Sequence, residues 1–252
     1  SLIEVTNLSK TFKKPIRGNG ITGMIKTLFS RKYQEIPAVK NISFNINKGE
    51  IVGYIGANGA GKSTTIKMMS GILYPTSGSV IIDGKKFDKN RKEINQEMGV
   101  VFGQKTQLWW DIPPIETFKI LKSIYDISDK DYTERFSYLC ELLDLEPFLN
   151  QNVRSLSLGQ RMRTDFAAAL IHSPKIVYLD EPTIGLDVLV KSKIRNAIKE
   201  LNKNDGITFI LTTHDMKDIE EVCDRIIIID SGSILYDGTL ANIKYKFGNI
   251  KT

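Results

Sequence analysis

Gly56-Ala57-Asn58-Gly59-Ala60-Gly61-Lys62-Ser63 spells a glycine-rich turn that ends in a lysine and a serine. Glycines let a backbone wrap so tightly that successive N–H groups aim at phosphate oxygens. A helix opening near Gly61 adds its positive end. Lys62 is then placed to reach β- and γ-phosphates, and the Ser63 hydroxyl to ligate Mg²⁺. The flanks agree. Ile51 to Ile55 is a short apolar run, as in a strand buried on both faces, and Lys62 to Gly71 reads as a helix. The bland alternative is a plain glycine turn into a helix.

A second chemical feature is the apolar run Ile176 to Leu179 followed by Asp180-Glu181. In a parallel sheet, ligands sit at the carboxyl ends of strands. Asp180 is therefore expected in the Mg²⁺ shell and Glu181 opposite the γ-phosphate, where a carboxylate can polarise the attacking water. Two carboxylates at a strand end are ordinarily just solvated. Beside a phosphate loop they read as chemistry.

The elements that must position these groups follow from periodicity. Ile3 to Asn7 and Ile42 to Ile46 alternate apolar and polar, as half-buried strands do. Val80 to Ile82, Met98 to Phe102, Ile207 to Leu211 and Arg225 to Ile229 are further short strands, and from Ile115 to about Ala169 the pattern turns helical, with Phe136, Leu139, Leu142 and Leu143 clustered. Strand, glycine loop, helix, helical block, then renewed strand–helix alternation implies an α/β fold: a parallel sheet wound with helices, with the helical block inserted. One segment stands apart, from Lys13 to Pro37. Within it Ile21, Met24, Ile25, Leu28 and Phe29 share one helix face, with Lys26, Arg31 and Lys32 off that stripe. This predicts a basic amphipathic helix at a membrane face or on a membrane partner, against the plainer alternative of a helix packed on its own domain.

Bulk composition narrows the classes. With 41% hydrophobic and 25% charged residues in 252, the chain is an ordinary globular protein able to bury a sizeable core. The net charge of +6 suits a phosphate ligand, anionic lipid, nucleic acid or a solvated face, and does not choose among them. Cys140 and Cys223 are far apart and in no metal-ligand spacing, so buried, reduced thiols in a cytosolic protein are expected. No stretch approaches the roughly 18 apolar residues of a spanning helix, and Ser1 to Lys10 lack a signal-peptide core. The expectation is a chain soluble by itself, reaching a membrane through a partner or a surface helix.

Leu156-Ser157-Leu158-Gly159-Gln160 precedes the carboxylate strand. The order phosphate loop, Gln104, this pentapeptide, Asp180-Glu181, Asp187, His214 resembles the ATP-binding subunits of ABC transporters, from about Leu2 to Gly238. The resemblance implies one ATP-binding domain over residues 1–252. Its fold would be a P-loop NTPase parallel sheet core, with an antiparallel β subdomain and an inserted α-helical signature subdomain at about 110–172. ATP and Mg²⁺ are the implied cofactors. Gly56, Asn58, Gly59, Ala60, Gly61, Lys62, Ser63 and Thr64 would hold the nucleotide. Ser63, Gln104 and Asp180 would hold the metal, and Glu181, His214, Lys62 and Gln104 would serve hydrolysis. Ser157, Gly159 and Gln160 would bind ATP held by the other protomer, with Asp187 crossing the interface. Ser157 can equally be the N-cap of a helix. Leu158 replaces the family's commoner second glycine, while Gly159 is retained. Phe12 sits where the family stacks an aromatic on adenine, and Tyr33 competes for that role.

Phe102-Gly103-Gln104-Lys105 to Leu108-Trp109-Trp110-Asp111 resembles the exporter branch with an ABC-2 type membrane subunit. The two tryptophans read either as loop or core packing or as part of the surface gripping that subunit. The implied protein is an ATP-hydrolysing transport motor at the cytoplasmic face of the cell membrane, exporting a drug, lipid or polysaccharide. It would work as a head-to-tail homodimer or heterodimer, with no nucleic acid partner. The rivals are an importer motor and an ABC-type ATPase acting on DNA or the ribosome. The last is disfavoured by the lack of sustained heptads and by the single ATP-binding domain.

Overall fold

Ile3, Val5 and Leu8 are buried while Glu4, Thr6 and Asn7 face out, and this alternation builds β1 (Ile3–Pro15). β1 pairs antiparallel with β2 (Tyr33–Ile46), in a register that carries Ile3 opposite Ile46 and Pro15 opposite Tyr33. Next in the chain comes β3 (Ile51–Ile55), which opens the second sheet, then α1 (Lys62–Met69). β4 (Ser77–Ile82) pairs with the other edge of β1, and β5 (Lys85–Lys86) completes an antiparallel sheet of order β2-β1-β4-β5. The computed structural model describes residues 1–15, 33–103 and 105–243. The expected helix face from Ile21 to Phe29 and the side chain of Gln104 lie outside them.

The rest of the chain alternates as the periodicity predicts. α2 (Phe87–Gln96), β6 (Met98–Phe102), three helices, β7 (Ile176–Asp180), α6 (Val188–Asp205), β8 (Thr208–Thr212), α7 (Met216–Val222), β9 (Arg225–Asp230) and β10 (Ser233–Thr239) follow in order. The three helices between β6 and β7 are α3 (Pro114–Ile124), α4 (Asp129–Leu143) and α5 (Leu158–Ala168). The second sheet has the order β10-β9-β3-β8-β7-β6. All its neighbours run parallel except β10, which is antiparallel to β9.

The parallel strands of this sheet are mostly apolar because both faces are covered. Successive residues feed two cores. Val177, Leu179, Phe209 and Leu211 pack toward the helices. Ile176, Tyr178, Ile210 and Tyr54 pack toward α1 and the antiparallel sheet. The helical layer closes on its own contacts, with Phe118 of α3 and Phe136 of α4 edge to face at 5.1 Å.

Two differences from the periodicity are instructive. Lys13 to Pro15 and Tyr33 to Pro37, within the segment that stood apart from the strands, are the ends of β1 and β2, paired Lys13↔Glu35 and Lys14↔Gln34. They are exposed on both faces and carry no apolar alternation, so backbone pairing alone defines them. The edge strand β10 lies outside the predicted strands too, although its burial alternates, with Ile234 and Tyr236 packed inward. Cys140 and Cys223 are buried free thiols, as expected, with burial pushing Cys140 up to about 11.

Candidate functional site

A cleft of about 610 Å³ opens at the carboxyl ends of β3, β6 and β7, lined among others by Asn58, Gly59, Ser63, Asp180, Glu181 and His214. The glycine-rich loop leaves β3 and turns into α1 at Gly61, whose φ is +109° and where a Cβ would stand 2.5 Å from the Ala38 carbonyl oxygen. Only glycine fits both demands. α1 has no side-chain cap, so its first N–H groups face the loop as an anion-seeking end. Lys62 is buried and lies back over the loop, its Nζ donating to the carbonyls of Gly56 at 2.7 Å and Ala57 at 3.1 Å. Burial pulls its pKa below the ordinary lysine range, while the Glu181 and Asp180 carboxylates oppose that shift.

Asp180 ends β7. Its Oδ1 accepts from the Ser63 hydroxyl at 3.0 Å and from the Thr212 hydroxyl at 2.7 Å. Glu181 follows with φ at +56°, a left-handed conformation unusual for a side-chain-bearing residue. It is held there by its N–H, which donates to the Thr212 carbonyl and Thr212 Oγ1, each at 3.0 Å. The Glu181 Oε1 lies 2.6 Å from His214 Nε2. Lys62, Ser63, Asp180, Glu181 and His214 are thus gathered from three separate stretches of sequence. Gly103 and Lys105 line the same cleft; Gln104 between them is outside the described residues.

Other predicted residues stand elsewhere. Ser157 caps α5 in a capping box: Gln160 N–H donates to Ser157 Oγ at 3.2 Å, and Ser157 N–H to Gln160 Oε1 at 2.8 Å. The N-cap expectation holds, and neither residue lines the cleft. Gly159 packs on the first turn of α6, where a Cβ would meet Val190 Cγ2 at 3.0 Å. Asp187 caps α6, its Oδ1 accepting from Val190 N–H at 2.9 Å. Phe12 and Tyr33 are 41% and 50% exposed on the β1–β2 ribbon, with Lys10 Nζ 5.5 Å from the Phe12 ring centre. Trp109 and Trp110 are half-exposed rather than core, and the Arg161 guanidinium lies 5.2 Å over the Trp110 ring.

Two contributors escaped the sequence. Thr212 orients both Asp180 and Glu181, and its only signal was its place before Thr213-His214 at a strand end. Asp165 of α5 accepts from the Thr106 hydroxyl at 3.0 Å and the Gln107 N–H at 2.9 Å, tying the signature helix to the chain just after Gln104. Burial pushes Asp165 up to about 6, against those hydrogen bonds.

The ABC transporter family model matches residues 39–184. The chain belongs to the ABC transporter family. It is an ATP-binding motor of that family and an ATPase. It is 34% identical over 218 residues to the ABC transporter ATP-binding protein NatA of Bacillus subtilis (strain 168), covering 85% of this chain and 88% of NatA. It is 34% identical over 232 residues to the methionine import ATP-binding protein MetN of Haemophilus influenzae, covering 90% of this chain and 66% of MetN. Against the cholesterol transporter ABCA5 of Homo sapiens the identity is 37% over 221 residues, 88% of this chain but 13% of ABCA5. The fold superposes on the dimeric, post-hydrolysis structure of the ATP-binding cassette MJ0796 bound to ADP and Pi. That match has a TM-score of 0.79 and 30% identity, over 94% of this chain and 98% of that one. Among the described residues no helix is long and apolar enough to cross a membrane.

Proposed function

We propose that this chain drives an exporter with an ABC-2 type transmembrane subunit, and that Glu181 and His214 form its hydrolytic pair. The contact at 2.6 Å between their side chains, at the mouth of the phosphate loop, carries the proposal. The domain works as a dimer with a transmembrane partner. ATP lies with its phosphates along Gly56 to Thr64, and Lys62 leaves its own loop carbonyls for the β- and γ-phosphates. Glu181 accepts a proton from the attacking water, and His214 holds that carboxylate while facing the γ-phosphate. Ser157 and Gly159 of a second protomer, arranged head to tail, close the cage around the developing charge. Phe12 or Tyr33 offers the adenine a stacking face.

Hard oxygen donors fit Mg²⁺ here: Ser63 Oγ and Asp180 Oδ1 are 3.0 Å apart and face the cleft. Among the described residues no group of three or more His, Cys, Asp or Glu could hold a metal by itself. The remaining ligands would be phosphate oxygens, Gln104 and water, and the ion would neutralise phosphate charge when bound.

The exporter assignment rests on the exposed Trp109-Trp110 stretch and its resemblance to the ABC-2 branch. The similarity to MetN favours importer work as a second reading. Reconstitution with the transmembrane partner in vesicles separates them: ATP supplied on the motor's side should drive substrate away from that side. Uptake toward the motor would overturn the exporter assignment.

A further inference from the structure

Asp218 is 1% exposed and lies outside the chemistry described above, yet it touches both catalytic loops. Its Oδ2 accepts from the Thr213 hydroxyl at 2.8 Å and also from the Thr183 hydroxyl. Thr213 immediately precedes His214, and Thr183 follows Glu181 by two residues. Both threonines are buried. The other oxygen, Oδ1, pairs with Arg195 Nη1 at 2.8 Å, and Arg195 is itself 3% exposed. One carboxylate therefore joins the loop after β7, the loop after β8 and helix α6.

The same helix grips the second loop again. Lys191 and Arg195 are one turn apart on α6, hence on one face. Lys191 Nζ reaches Asp215 Oδ2 at 2.8 Å, and Arg195 Nε lies 2.8 Å from Glu221 Oε2. The backbone on both sides of His214 is thus fixed, because the Asp215 N–H also donates to Thr213 Oγ1 at 3.0 Å. Stability does not account for this arrangement. Buried ion pairs are generally no better than well-packed apolar residues of the same volume. What such a pair does supply is a single geometry, since a buried carboxylate with three fixed donors admits few alternatives.

We infer that Asp218 is a positioning residue for hydrolysis: it clamps the Glu181 and His214 loops to each other and to α6, keeping the two side chains in register. α6 begins at Asp187, so the clamp also links the catalytic pair to the end of the helix proposed to face the second protomer. The inference rests on Glu181 and His214 being the hydrolytic pair.

Thr213→Val and Thr183→Val each delete one hydroxyl while leaving the Arg195–Asp218 pair whole. On the full chain, each should lower kcat about tenfold or more, because small misplacements of reacting groups cost that much. KM for ATP and nucleotide affinity should stay within twofold, and Thr213→Ser should recover most of the lost kcat. A merely structural role would lower the melting temperature while leaving kcat intact well below it. If a valine variant fails to fold, the Thr213→Ala and Thr183→Ala variants carry the same expectation without added bulk. Wild-type kcat in the threonine variants, with Glu181→Gln inactive, overturns the clamp. Wild-type kcat in Glu181→Gln would instead overturn the assignment of the pair.

Discussion

The cleft and the N-terminus of α5 both carry residues expected to meet ATP, yet they are built in opposite ways. In the cleft, chemical groups from three stretches of chain already touch one another: Ser63 with Asp180, and Glu181 with His214. At α5, Ser157 and Gln160 satisfy each other, Gly159 and Leu158 lean on Val190 and Gly185, and none of these four α5 residues lines the cleft. One region is a centre assembled by its own sheet. The other is a finished surface, rigid before it meets anything, as suits a half-site completed by another chain.

The largest expected effect tests the first half of that contrast. Glu181→Gln keeps shape and loses basicity, so turnover should fall roughly 10²–10⁴-fold, with nucleotide affinity unchanged and an ATP-stabilised dimer accumulating. Near-wild-type turnover would show that the cleft is not the reacting centre. The second half is sharpened by Ser157→Asp in the Glu181→Gln background. Aspartate is as good an N-cap as serine, but it puts a negative charge where the partner's phosphate would lie. Thermal stability should hold while the ATP-dependent dimer, followed by analytical ultracentrifugation, weakens by at least about tenfold, a change of 1.4 kcal/mol. An undiminished dimer would leave α5 with a structural role alone.

Ser157→Ala separates the cap from the phosphate contact in the other direction. Losing the cap costs about 1 kcal/mol, a fall in melting temperature of about 2–4 °C for a chain of this size, readable by calorimetry. The smallest effects concern pH. Asp165 titrates at about 6, above the ordinary carboxylate range, so its stabilising contribution is full below that range and lost as pH rises through 6. Asp165→Asn should therefore lose more melting temperature than wild type on acidification from pH 7 to about 4.5. His172 is pulled down to about 4 by burial, with its Nε2 on the Met98 carbonyl and its ring stacked on Tyr125. Its contribution is present above the ordinary histidine value of about 6.5 and is lost as pH falls toward 4. His172→Phe should accordingly lose less on acidification. A pH slope equal to that of wild type in either variant would refute the assignment of that residue.

Where the chemistry is local, it was legible in the sequence. The strand, glycine loop and helix from Ile51 to Gly71, and the carboxylates ending β7, announce themselves within a few residues. Thr212, Asp218 and Asp165 do not, because each acts on groups brought close by parallel pairing or by helix packing. A lone threonine or aspartate on an apolar stretch carries no mark of such a partner. Ser157 was legible twice over, as a cap and as a phosphate ligand, and the structure supplies only the first. The paired ends of β1 and β2 escaped detection for another reason: exposed ribbon has no buried face to impose a period of two.

That ribbon has a consequence for how the chain can acquire parts. Pro15 and Tyr33 sit opposite each other as Cα partners, so the two ends that flank residues 16–32 form a single doorway in the ribbon. Loop closure grows only as the logarithm of length, about 0.6 kcal/mol per doubling. The strands on either side are already zipped to one another. A segment of almost any size or character can be exchanged there without disturbing the order in which the sheets assemble. The doorway is a natural graft point, through which a common motor can be fitted to different surroundings.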